Sequence, residues 1–187
     1  MTKSSFGRDE LDFGRPGALG LVVRINPTNG ERSFDKLTWG LVPHNTTHLA
    51  SALRPIWGRA EGLTEHAMFV DAFRRRRAIV PADEYFQTSM THAGRQFSVR
   101  RRDGRPMAWA GLWEGYRAPN GDIIRSYCVI TIDANEDVAP IHGRMPLVLE
   151  ETDLPVWLGE EPGDPVSLLR TPMEGILDCE QMRRRRT

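Results

Sequence analysis

The stretch "RQFSVRRRDGRPMAWAGLWEGY", residues 95–116, holds two runs of strand character on either side of an Asp-Gly step. Phe97 and Val99 alternate with polar neighbours, while Met107 to Tyr116 is mostly apolar and aromatic. Asp103-Gly104 is turn chemistry, because glycine takes positive φ readily, so the stretch predicts a hairpin. The same pattern recurs outward from it. "IIRSYCVITIDA" (123–134) predicts a long strand, "PLVLE" (146–150) a short one and "GILDCEQM" (175–182) a last one. "LGLVVRI" (19–25) and "FDKLTWGLVP" (34–43) flank "NPTNGERS", with Asn-Gly at its tip, and predict another hairpin. "AIVPADEYFQT" (78–88) predicts a strand interrupted at Pro81. The best helical pattern is "LTEHAMFVDAFRRRR" (63–77), with Thr64 as N-cap and Met68/Ala72 and Phe69/Phe73 at spacing four. "ETDLPVWLG" and "DPVSLLRT" predict short helices capped by Thr152 or Asp153 and by Asp164. Many strands, few helices and no βαβ alternation define an α+β fold dominated by antiparallel sheet.

A chain of 187 residues fits one domain, here residues 1–182, followed by a disordered arginine tail at 183–187. No apolar run is long enough to span a bilayer, and the N-terminus has no secretory h-region. The expectation is a cytoplasmic protein, taken as a monomer. Basic and acidic residues balance at 25 each, which argues against a generic polyanion binder. The distribution is uneven: lysine occurs only at Lys3 and Lys36, and between Glu150 and Glu180 the only base is Arg170. Arginine's planar fork suits phosphates. Cys128 and Cys179 form no C-x-x-C pair, and Cys128 within "SYCVITI" reads as a small buried hydrophobe.

Phosphate-loop, dinucleotide and zinc-protease motifs are absent, and the five histidines do not pair with carboxylates at ligand spacing. No metal site and no cofactor is predicted. The arginines at 74–77 suit a helix C-terminus through the macrodipole and equally suit phosphate contact. In "IWGRAEG" (56–62), an extended backbone puts Trp57, Arg59 and Glu61 on one face. Arg59 and Glu61 then form a structural pair, or Arg59 is presented to an anion. In "IHGRMP" (141–146), His142 is a loop residue bonded to backbone or an acid–base group near neutrality. Arg144 beside it is suited to an anion.

The ordered blocks "LTWGLVP", "GRAEG", "FVDAFRRRRAIVPADEYF", "PMAWAGLWEGY" and "VITIDANEDVAPIHGRMPLVLE" resemble the SRAP family, the SOS response-associated peptidases that process abasic sites. The resemblance covers roughly residues 17–160. It implies a single domain with a β-barrel-like core, a groove for single-stranded DNA and a place in the DNA-damage response. In that family a cysteine after the initiator methionine cross-links to the ring-opened abasic sugar as a thiazolidine. His142 matches the family's histidine, Arg59 and Glu61 its arginine and glutamate, and Trp39 and Pro43 its W-G-L-x-P block. Arg144 lies beside that histidine; Trp57, as stacking surface, and Arg77, from the basic run at 74–77, complete the expected DNA-binding set.

The departures concern the chemistry. Thr2 follows Met1 where the family has cysteine, Trp57 replaces its asparagine and Gln87 its glutamate. Asn45 and Thr88 stand where the family has tryptophans. Gln87 hydrogen-bonds but does not exchange protons as a carboxylate does. Three functions follow: a non-covalent binder of single-stranded or abasic DNA, a Schiff-base or lyase-type enzyme using the Thr2 amine with His142, or a degenerate paralogue that binds a protein.

Overall fold

The computed structural model describes residues 14–182, so Thr2 and the arginine tail lie outside the described residues. In chain order the elements are β1 (Leu19–Ile25), β2 (Arg32–Trp39), β3 (Trp57–Arg59), α1 (Val70–Arg75), β4 (Arg77–Ala82), β5 (Glu84–Thr88), β6 (Gln96–Arg101), β7 (Met107–Arg117), β8 (Ile123–Asp133), β9 (Arg144–Pro146), β10 (Val148–Leu149), α2 (Leu154–Leu158) and β11 (Leu177–Gln181). β1 and β2 form the hairpin predicted around Asn-Gly, in register from Leu19↔Thr38 to Ile25↔Arg32. Five strands then close a barrel in the order β7-β4-β1-β2-β8 and back to β7. Every seam is antiparallel except β2–β8, which is parallel at Thr38↔Ser126 and Trp39↔Tyr127. The chain is thus a single-domain α+β protein on a mixed, mostly antiparallel barrel.

The hairpin predicted at Asp103-Gly104 is corrected. β6 lies between β5 and β11 in a separate sheet, and β7 lies between β4 and β8 in the barrel. The turn itself forms: Gly104 has φ 72 and donates its N–H to Arg101 O at 3.2 Å. Asp103 braces it, accepting from Arg105 N at 3.0 Å and from the Arg101 guanidinium at 2.8 Å. The reason is burial. β6 buries only alternate residues, as a one-sided sheet does, whereas β7 is buried from Trp109 through Glu114 on both faces. A partner on one edge and cover on one face do not satisfy such a strand.

The long helix is corrected too. α1 has six residues, residues 63–69 form turns, and Thr64 caps nothing. His66 accepts the Met68 N–H at 3.2 Å, and Leu63 is fully buried, which holds the segment as turns. Arg76 ends α1 at φ −136, ψ 52, so Arg77 belongs to β4. Pro81 does not interrupt its strand. It pairs with Ala108 beyond the last β1 partner, Ile79, where an edge position tolerates the missing N–H, and the break falls at Asp83. Asp164 caps its 3-10 turn by accepting from Val166 N, but neither Thr152 nor Asp153 caps by side chain.

The barrel interior is read from contacts between strands that are not neighbours. Gly20 of β1 lies directly against the Tyr127 hydroxyl of β8. Arg24 of β1 places its guanidinium 4.2 Å from the Trp113 ring centre of β7 and pairs with Asp35 at 2.8 Å. On the outer face α1 packs on β7 and α2 on β4. Phe73 and Trp157 meet at 6.0 Å, and the Trp157 indole donates to Ala78 O at 2.8 Å. Cys128 is fully buried, and burial pushes its thiol up to about 12.

Candidate functional site

The last half of β8 runs past the closed barrel and carries a strand on each edge. β3 joins it in parallel, Trp57↔Val129 and Arg59↔Thr131, and β9 in antiparallel, Thr131↔Pro146 and Asp133↔Arg144. Side chains alternate along a strand and register partners share a face, so Trp57, Arg59, Thr131, Asp133 and Arg144 stand together. The intervening Gly58, Ile130 and Ile132 point to the core and are buried.

Arg144 is the hub of this face. Its guanidinium donates to Glu61 at 2.7 and 3.1 Å, to Asp133 at 2.7 Å and to Thr131 O at 2.7 Å. Its hydrogen bond with Glu61 is the main reason its pKa is raised, and the same bond holds the Glu61 carboxyl below its ordinary range. Glu61 sits in a 3-10 turn, Ala60–Gly62, which swings it away from the β3 line. Of the two alternatives for Arg59 and Glu61, the direct pair does not form: Glu61 bonds to Arg144, and Arg59 acts on it only through its charge. Arg59 is exposed, with no hydrogen-bond or ion-pair partner among the described residues.

His142 closes the turn before β9, donating its N–H to Val138 O at 3.0 Å, and is half-buried. Its Nδ1 lies 3.0 Å from Arg144 N and 2.8 Å from Arg144 O. The two contacts need opposite tautomers. If Nδ1 accepts, Nε2 carries the proton and is a donor; if Nδ1–H donates, Nε2 is a base. The backbone of Arg144 thus orients the ring in either role.

An aromatic column leads from the barrel to this face. Tyr127 stacks on Trp39 at 6.3 Å and 10°, and Trp39 meets Trp57 at 5.3 Å and 88°. Trp39 is pinned by its indole N–H to Ile56 O at 3.0 Å, and Trp57 is 40% exposed. Gln87 lies on β5, its amide donating to Thr88 O at 3.1 Å. The end of β5 hooks onto the His142 turn, where Met90 N–H donates to Ile141 O at 3.1 Å.

Two of the residues singled out stand apart. Pro43 is half-buried in the loop after β2 and accepts from Thr46 N. Arg77 turns inward: its guanidinium donates to Phe73 O at 2.7 Å, to Arg74 O at 3.0 Å and to Trp157 O, and burial lowers its pKa. It ties α1 and α2 to β4 and is not presented to a ligand. Thr131 and Asp133 were not anticipated, although the alternation in "VITIDA" places them on the face opposite the buried isoleucines. Among the described residues no group of three His, Cys, Asp or Glu is placed to hold a metal ion, and no helix is long and apolar enough to cross a membrane.

A family model described as SOS response associated peptidase (SRAP) matches residues 13–185. The abasic site processing protein YoqW of Bacillus subtilis (strain 168) is 30% identical over 147 residues, 78% of this chain and 65% of that protein. The chain thus spans under two thirds of that relative's length. A crystal structure from Bacteroides thetaiotaomicron superposes with a TM-score of 0.80 at 21% identity, covering 89% of this chain and 74% of the other, and shows a shared fold. One from Bordetella bronchiseptica reaches 0.78 at 26% identity, covering 90% and 85%.

Proposed function

The chain belongs to the SOS response-associated peptidase (SRAP) family, and on that premise we propose that it binds single-stranded or abasic-site DNA non-covalently in the DNA-damage response. The observation that carries this is the single exposed face that gathers Trp57, Arg59, Arg144 and the His142 turn around the end of β8. Arg59 contacts a backbone phosphate. Arg144 contributes a second positive centre, shared with Glu61 and Asp133. Trp39 holds Trp57 in place, and Pro43 shapes the loop that follows Trp39. His142 offers Nε2 to the sugar as proton donor or acceptor, and Gln87 serves as a hydrogen-bonding group.

The thiols of the described residues favour this reading over a thiazolidine cross-link. Cys128 is buried within barrel strand β8, and burial pushes Cys179 up to about 11, so both are held as thiols. Nucleophilic attack requires the thiolate. The test is incubation with abasic single-stranded DNA, run on native and on denaturing gels beside His142→Ala. The expected result is a retarded strand on the native gel and an unshifted strand on the denaturing gel for both proteins. A wild-type adduct that survives denaturation and disappears in His142→Ala would establish covalent chemistry and overturn the proposal.

A further inference from the structure

The segment 53–59 adds to Trp57 and Arg59 a second exposed cation, Arg54, on the other side of the indole. Trp57 is edge-on to Trp39, so whichever ring gives its edge, at least one Trp57 face is uncovered by Trp39. That face is rigid from below, because Trp39 is stacked on Tyr127 and hydrogen-bonded to Ile56 O, the residue before Trp57. A cation stands on each side. Arg59 follows on β3, and Arg54 precedes it, its Cβ beside Gly40 and the backbone there anchored by Leu41 N–H to Pro55 O at 3.0 Å. Arg54 and Arg59 are both exposed, with no ion-pair or hydrogen-bond partner among the described residues, and the only cation–π contact described is Arg24 on Trp113. From Leu53 to Arg59 there is no carboxylate, and the next along the chain, Glu61, feels the charge of Arg59 but is bound to Arg144.

The order cation, open indole, cation complements a single nucleic-acid strand, in which flat bases alternate with phosphates. An acidic peptide would pair with the arginines but would leave the pre-positioned indole face unmatched. We infer that Trp57 seats an intact nucleobase, with Arg54 and Arg59 taking phosphates on either side, so that this face prefers base-bearing single strands to a bare abasic backbone. The inference rests on the single-strand reading above and narrows its ligand: a stacked base contributes attraction that an abasic sugar lacks, and a rigid ring loses little freedom on binding.

The experiment measures anisotropy of a labelled thymidine strand of about twelve nucleotides, within the usual site size. A strand of the same length in which every base is a tetrahydrofuran spacer serves as the abasic backbone and carries no aldehyde. Wild type is expected to bind the thymidine strand at least about tenfold more tightly, since stacking of one or more bases supports that ratio. Trp57→Ala weakens the thymidine strand roughly 5- to 150-fold and leaves the spacer strand unchanged. Trp57→Phe keeps the preference in reduced form. Arg54→Gln and Arg59→Gln weaken both strands and each lower the salt slope by about 0.7. Equal wild-type affinity for the two strands, or a Trp57→Ala effect equal on both, overturns the inference and leaves single-strand binding standing. If neither strand binds at about 50 mM salt, the single-strand reading itself falls, and this inference with it.

Discussion

Arg144 reaches the surface already holding two carboxylates, and this sets how an anion engages it. A phosphate must share the guanidinium with Glu61 and Asp133, whose side chains are 54% and 78% exposed. Exposed pairs of this kind are worth no more than about 1 kcal/mol after solvent screening. Glu61→Gln removes a competitor and raises local positive charge, so single-strand affinity is expected to rise up to about fivefold in a binding titration. Weaker binding would show instead that Glu61 positions Arg144 for its ligand. The pair also has a pH signature. The Glu61 pKa is depressed from 4.5 in the folded state, so its stabilisation is complete above that value and is lost as pH falls through the lower folded value. The Tm difference between wild type and Glu61→Gln is therefore expected to be flat from neutrality down to about pH 5.5 and to vanish at lower pH. At this scale the sequence showed Arg144 and His142 as candidates, but not that Glu61 turns from Arg59 to Arg144. That switch depends on a 3-10 turn and on β9 pairing alongside β8, which local pattern does not encode.

Among the elements, the sequence made strand existence plain and strand pairing only partly so. Alternation in β6 and the mostly apolar run of β7 are both visible in residues 95–116, yet Asp-Gly between them suggested partners that the barrel separates. The difference in burial pattern was the available signal: a strand apolar on both faces belongs to an interior, not to an isolated hairpin. The helix at 63–77 was overread for a related reason, since spacing-four apolar residues also arise where Leu63 and Phe69 pack from turns. Two glycines test the resulting architecture. Gly104 needs only its positive φ, with open space around it, so Gly104→Ala should cost about 1 kcal/mol and leave the barrel intact. Gly20 gives way to the Tyr127 hydroxyl across the interior, so Gly20→Ala should cost about 1–3 kcal/mol and displace the Tyr127–Trp39 stack. Urea unfolding and tryptophan emission measure both, and a Gly20→Ala protein as stable as wild type would contradict the interior assignment.

For the whole molecule, zero formal charge concealed an uneven distribution along the chain, with acids dominating from Glu150 to Glu180. The barrel class, the single domain and the neighbourhood of His142 and Arg144 were legible because they rest on ordered blocks spread over most of the chain. The place of Thr131 and Asp133 beside them was not, because β3, β8 and β9 come together only when the barrel closes. At this face Arg54 and Arg59 are exposed and Arg144 is shared with two carboxylates, so electrostatic binding there should be modest and strongly salt-dependent, with stacking supplying the rest. The most direct measurement of the central claim is the affinity of the full chain for a labelled single strand across a salt series, with Arg59→Gln alongside. The expected result is a straight log–log decline whose slope corresponds to about two or three phosphates, at about 0.7 per phosphate, reduced by one such step in Arg59→Gln. Absence of binding at the lowest salt, or an affinity and slope that Arg59→Gln leaves unchanged, would contradict it.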